Sequence, residues 1–142
     1  MKADSGIRDC PNGWFENTCH VFPVRVYFED TDAGGIVYYA NYLKFAERAR
    51  TEMMRCLGTE HEGLLETAGI AFVVRSCQAE YLQPARLDEA LRVRTQIRKV
   101  RGASMQASQI VIRPGPDGTE TNLVELAIRL ACMSGDLKPA RL

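Results

Sequence analysis

Apolar and polar residues change their period twice along this chain of 142 residues. From Pro23 the period is two: Val24, Val26 and Phe28 fall on one face, Arg25 and Tyr27 on the other. That alternation predicts a strand with one buried face, and Pro23, which has no ladder donor, places its start near an edge. From Asn41 to Leu57 the period becomes helical. Tyr42, Phe45, Ala46, Ala49, Met53 and Leu57 form an apolar stripe, with Lys44, Glu47, Arg48 and Arg55 between them. Arg48 with Glu52, and Glu47 with Arg50, stand at pairing distance on that helix, and Gly58 suits a left-handed stop. A second, short helix is predicted from the TEHE segment, with Thr59 as cap, Glu62 reaching back and Gly69 at its end. His61 falls in its first turn as a solvated helix residue.

Beyond Gly69 the period returns to two. AFVVRSCQAEY is dense enough for a central strand, and Arg75 within it is expected to be buried in a structural salt bridge. In LRVRTQIRKVR, Leu91, Val93, Thr95 and Ile97 face one way, and Arg92, Arg94, Gln96 and Arg98 the other. SMQASQIVI and NLVELAIRLACM follow, joined by the turn PGPDG. Strands without crossover helices between them are antiparallel neighbours. The long helix then has only the sheet's inner face to lie on. The expected fold is α+β, one long helix wrapped by a curved antiparallel sheet of about five strands. Residues 1–19, polar and rich in turn formers (Pro11, Asn12, Gly13), read as an irregular arm, and residues 20–142 as the domain. Outward arginines discourage stacking on the sheet, while its edges stay free to pair in a dimer.

Composition narrows the partners. The 18 basic and 18 acidic residues cancel, which excludes a nucleic-acid footprint or a polybasic membrane anchor. No apolar run approaches the roughly 20 residues of a membrane span, and the first residues lack the apolar core of a secretory signal, so a cytoplasmic protein is expected. Five cysteines, odd in number and never spaced C-x-x-C, agree with that compartment. Cys10, Cys19 and His20 are metal-ligating types close in sequence. A loose arm with incidental thiols is the simpler reading, and no metal or cofactor is expected. Cys56, Cys77 and Cys132 fall in apolar periodic segments and read as small core residues.

The chemistry concentrates in EDTDAGGIVYYAN, residues 29–41. Glu29, Asp30 and Asp32 could decorate a helix entrance, where the free N–H groups favour negative charge. Yet Asp32 precedes Asn41 by some nine residues, too far for a cap, and Gly34-Gly35 joins a pivot to the apolar run Ile36 to Tyr39. Such a segment can fold back to set a carboxylate and free backbone N–H groups around one pocket. A carboxylate activates water or attacks directly while N–H groups hold a developing oxyanion, which is what acyl transfer to water requires. From the residues alone, both readings stand.

YFEDTDAGGIVYYANYLKFAERARTEMMR resembles the 4-hydroxybenzoyl-CoA thioesterase family of hotdog fold, and most of all its Tol-Pal-associated, YbgC-type branch. FVVRSCQAEYLQPARLDEALRVRTQI, VRGASMQASQIV and DLKPARL extend the resemblance over residues 21–142. It implies an acyl-CoA thioesterase releasing a carboxylic acid and free CoA. Asp32 would be the essential carboxylate, as general base or nucleophile, and Tyr39 would supply the backbone N–H that polarises the thioester carbonyl. Gly35 would allow close backbone approach, Asp30 would hold the loop, and Val37, Asn41 and Tyr42 would shape the substrate pocket. Many members of the branch carry His where this chain has Tyr39, and a phenol, titrating near 10, is no base at neutral pH. Lys99 and Arg101, with Arg86 behind them, are the candidate cations for CoA phosphates. The resemblance further implies homodimers or homotetramers with shared sites, and leaves acyl carrier protein as a possible donor. Two rivals remain: a non-catalytic hotdog module that binds acyl thioesters, and a hydratase or dehydratase. The second needs a histidine in the site, and neither His20 nor His61 falls at the loop or helix centre.

Overall fold

The apolar stripe on the long helix decides the architecture. In the computed structural model, which describes residues 7–58 and 70–134, helix α1 (Asn41–Cys56) buries Tyr42, Phe45, Ala46, Ala49 and Met53. They lie against one antiparallel sheet of seven strands: β1 (Ile7–Asp9), β2 (Trp14–Glu16), β3 (Cys19–Arg25), β4 (Ile70–Tyr81), β5 (Ala90–Arg101), β6 (Ser104–Pro114) and β7 (Glu120–Ser134). Their spatial order is β1-β2-β3-β5-β6-β7-β4. The predicted alternation in β5 holds: Leu91, Val93 and Thr95 are buried, and with Val24, Val111, Leu126 and Ile128 the two valine and leucine positions join the helix in one core. The predicted second helix (Thr59, His61, Glu62, Gly69) and the closing DLKPARL lie outside the described residues.

A buried polar clasp sets the helix on the sheet. Gln109 of β6 is fully buried. Its Nε2 donates to the Ala46 carbonyl at 3.0 Å and to Thr95 Oγ1 at 2.9 Å, and its Oε1 accepts from Arg50 Nη1 at 2.9 Å. With both ends of the amide occupied, the group stabilises one depth and one rotation of the helix.

Several expectations change. Residues 7–16 are not irregular: β1 and β2 form a hairpin that extends the sheet beyond β3, with Trp14 opposite Val21. Asn17, at φ 56°, reverses the chain between β2 and β3, and Phe15 is buried. Pro23 sits past the last residue that β2 pairs, on an otherwise open edge, so its missing N–H costs nothing there. Phe28 is not buried: β3 ends at Arg25, a 3-10 turn (Phe28–Asp30) follows, and the ring is 81% exposed. β4 is an edge strand rather than a central one, so Cys77 is exposed. Arg75 falls at its bulge between Val74 and Ser76 and is exposed, not buried in an ion pair. Glu52 turns to Arg55 at 2.8 Å instead of to Arg48. Cys132 is buried as expected, but Cys10 and Cys56 are neither incidental nor simple core thiols, being joined as a disulfide.

Replacing Gln109 with Leu keeps the volume but strands the Thr95 hydroxyl, the Arg50 guanidinium and one carbonyl. We expect a loss of about 2 kcal/mol, read as a lower denaturant midpoint with an unchanged slope.

Candidate active site

The loop between β3 and α1 is held by one buried carboxylate. Asp30 Oδ2 accepts the Tyr27 N–H at 2.8 Å. The Asp30 backbone oxygen accepts the Tyr38 N–H at 3.0 Å and Asn41 Nδ2 at 2.8 Å. The residue therefore ties the end of β3, the far side of the loop and the first helical residue together. Asn41, expected in the pocket, spends its amide on this tie.

Between these anchors the chain reverses tightly. Thr31 pairs with Val37 and Ile36 with Arg86, while Gly35 N–H donates to the Asp32 carbonyl at 3.1 Å. Asp32 Oδ1 accepts the Gly34 N–H at 2.8 Å. Aspartate at the start of a turn and glycine at its end are what such a reversal favours, so the D-x-x-G spacing has a structural cause of its own. Gly35 has φ +81°, and an added Cβ would meet no protein atom within 4 Å. Backbone twist, not crowding by the protein, is what demands glycine there. The Asp32 side chain is exposed, and Oδ2 takes no partner among the described residues.

Across the turn lies the start of α1, which no side chain caps and whose first turn holds no acidic residue. The N–H groups of Asn41, Tyr42 and Leu43 reach back to Tyr38, Tyr39 and Ala40. This leaves the N–H groups of Tyr39 and Ala40 without an acceptor among the described residues. A partly free carboxylate and two unpaired amides at the positive end of a helix thus flank one short loop.

The surrounding side chains divide into posts and rim. Tyr42 is buried, its hydroxyl accepts the Ala85 N–H at 2.9 Å, and burial raises its pKa, so it stands as a neutral post. Val37 is 3% exposed and its N–H bonds to the Ala85 carbonyl, which makes it core rather than pocket wall. The Tyr39 ring is 59% exposed and meets Tyr38 at 4.9 Å and Tyr81 at 5.9 Å between centroids. A cleft of about 370 Å³ opens between α1 and β4, with Glu47, Arg50 and Thr51 on its polar side and Met53, Phe72 and Leu130 among its apolar walls.

Lys99 and Arg101 do come together, at the hairpin of β5 and β6, in a recess of about 90 Å³ shared with Ser104, Gln106 and Arg129. Arg129 was not anticipated: it joins the group only because β7 aligns it with Gln106, which β5 aligns with Lys99. No carboxylate pairs with these three cations among the described residues. However, β5 leaves the loop end of the sheet at Ala90, beside Arg25. Nine residues on, Lys99 lies about 30 Å away. One chain therefore does not bring these cations to Asp32.

Residues 34–119 match the Thioesterase superfamily. Haemophilus influenzae "Acyl-CoA thioesterase YbgC" is 44% identical over 119 residues, 83% of this chain and 84% of that protein. The Helicobacter pylori protein of the same name is 46% identical over 80 residues, 54% of this chain and 55% of that one. A probable thioesterase from Bartonella henselae superposes with TM-score 0.80 at 35% identity, covering 87% of this chain and 98% of that chain. A 4-hydroxybenzoyl CoA thioesterase mutant, solved with 4-hydroxybenzoyl CoA, superposes with TM-score 0.82 at 22% identity over 88% of this chain and 93% of its own. The chain belongs to the thioesterase superfamily and is a thioester hydrolase of hotdog fold.

The turn yields a direct check. Gly35→Val, which resists positive φ, is expected to lower stability by about 2 kcal/mol, while Gly35→Asn, which tolerates that region, costs markedly less. Denaturation midpoints of the two variants measure the difference.

Proposed function

We propose that the protein is an acyl-CoA thioesterase in which Asp32 and the helix-entrance amides act on the two sides of the thioester. The observation that carries this reading is one short loop that holds an exposed Asp32 carboxylate and leads into a helix start whose Tyr39 and Ala40 amides are unpaired among the described residues. The substrate carbonyl oxygen accepts from the Tyr39 N–H, which gains strength as negative charge develops on that oxygen. Asp32 then either takes a proton from the attacking water or adds to the carbonyl carbon itself, forming a mixed anhydride that water opens. In both courses the carbon–sulfur bond breaks, CoA leaves as its thiol and the acyl group as a carboxylate. The Tyr39 phenol is not needed as a base, because the donor is its main chain. The cleft between α1 and β4 offers room for the acyl group: its nearest helical residue, Glu47, is about 9 Å from the helix start.

Two features favour a homo-oligomer, dimer or tetramer, with sites shared between chains. Tyr27, Phe28, Tyr38, Tyr39, Tyr81 and Leu82 expose apolar surface around the loop, more than a lone soluble chain usually leaves in one place. β4 also presents a twelve-residue strand with one unpaired edge. A second copy supplies what one chain lacks, the Lys99, Arg101 and Arg129 recess for CoA phosphates. We place the protein in the cytoplasm, in the Tol-Pal setting of its branch, with CoA as first donor and acyl carrier protein as the second to assay. A hydratase is disfavoured, since His20 lies buried on β3 away from the loop.

Asp32→Asn is expected to lower kcat for acyl-CoA hydrolysis by about a hundred- to ten-thousand-fold with folding intact. Tyr39→Phe keeps kcat within a few-fold. Thiol release from short, long and aromatic acyl-CoAs measures both; full activity of the Asp32 variant would overturn the role given to Asp32, and no release by the wild type would leave the binding-module reading. Arg101→Ala with Arg129→Ala should raise KM several-fold and leave kcat nearly unchanged, because the phosphates are held equally before and during the reaction.

A further inference from the structure

The end of α1 opposite the loop carries a second cluster of reactive groups. Cys10, between β1 and β2, His20 on β3 and Cys56, the last residue of α1, bring their ligand atoms within 4.8 Å of one another. His20 is fully buried, and neither of its ring nitrogens has a hydrogen-bond partner among the described residues. Burial pushes the pKa of the His20 ring down, with the Glu52 charge and the Asn12 backbone opposing it. A buried imidazole without a partner costs about 1–3 kcal/mol, so one kept beside two cysteines calls for a ligand. The hairpin seals the group: Phe15 packs edge-on to the ring at 5.1 Å, and a Cβ on Gly13 would collide with the Val21 carbonyl and touch the imidazole. Glu52, four residues before Cys56 on the same helix face, has a buried Oε1 that is also without a partner among the described residues.

We propose that, when its thiols are reduced, this cluster is a zinc site in which Cys10, His20 and Cys56 are the three protein ligands. Two sulfurs and one imidazole suit Zn²⁺, whereas Mg²⁺ and Ca²⁺ seek sites built from oxygen. The structure holds the two sulfurs as a disulfide, and the two forms interconvert by a balanced exchange. A dithiol reductant supplies two electrons and two protons to the S–S bond, giving two thiols, and Zn²⁺ displaces both thiol protons on binding. In the other direction hydrogen peroxide takes two electrons from the bound thiolates and, with two protons, becomes two waters. The S–S bond forms and Zn²⁺ leaves. The bonded and the metal-bound states each hold the β1–β2 hairpin to the end of the helix. Along the fifteen steps from Asn41 to Cys56 the helix spans about 22 Å, so the metal takes no part in thioester hydrolysis, and the site stands or falls separately from that activity.

The full chain is reduced with a phosphine, stripped with chelator and titrated with Zn²⁺ against a chromogenic zinc indicator, and in parallel with Co²⁺. The wild type should take up one equivalent, raise its melting temperature, and give the thiolate charge-transfer and visible bands of tetrahedral cobalt. Cys56→Ser and His20→Gln should each weaken zinc binding by about a hundred-fold or more. Because His20→Gln changes a fully buried position, Cys10→Ser, on the outer hairpin, is the second variant and should behave alike. Cys19→Ser should bind as the wild type does. Peroxide should release the zinc while the two cysteines become unreactive to thiol reagents. Failure of the reduced wild type to bind, or loss of binding in Cys19→Ser with retention in Cys10→Ser, overturns the proposal.

Discussion

The buried carboxylate of Asp30 governs the geometry around the helix start. Through its side chain it holds the Tyr27 amide, and through its carbonyl it holds Tyr38 and the Asn41 side chain. The N-cap residue is Ala40, which has no side-chain acceptor, so α1 begins uncapped. The amides of Tyr39 and Ala40, just ahead of the first turn, find no acceptor among the described residues. Asp32 sits two residues past the same anchor, in a turn closed by Gly35. Both halves of the proposed chemistry therefore flank one residue, Asp30, that does not itself react.

The helix separates two kinds of chemistry. At its start the backbone is under-satisfied and faces open surface, the condition for meeting a transient charge. Its middle is fixed on the sheet by Gln109, which leaves neither rotation nor sliding available. At its end sit the two joined sulfurs and the enclosed imidazole. A rigid rod with a polar clasp at mid-length keeps events at one end from disturbing registration at the other.

What the sequence made legible follows from how each feature is encoded. The stripe from Tyr42 to Met53 and the alternation from Leu91 to Thr95 were readable because every core position there is filled by its own local period. The β1–β2 hairpin was not, since three-residue strands carry almost no periodicity and Asn17 alone marks the reversal. Phe28 misled because alternation says nothing about where a strand stops. Arg129 and the meeting of Cys10 with Cys56 depend on register and on the seating of the helix, which no local window contains. The loop was legible as a special segment, but its aspartate and glycine satisfy a turn as well as a reaction, so the letters alone left two readings open. Coordinates add the unpaired amides opposite, and the superfamily match adds the chemical class.

The position of β4 has a consequence for how the chain comes into being. It follows the helix in sequence, yet its ladder partner is β7, the last strand described, with Ile70 opposite Ser134 and Tyr81 opposite Val124. During synthesis from the amino terminus, β4 emerges without its ladder partner, and it waits as a long open strand until β7 has left the ribosome. Vectorial folding therefore ends with a single late closure. The nascent chain is most vulnerable to sticking to its siblings in that interval, a hazard that falls on the same strand edge left open in the finished fold.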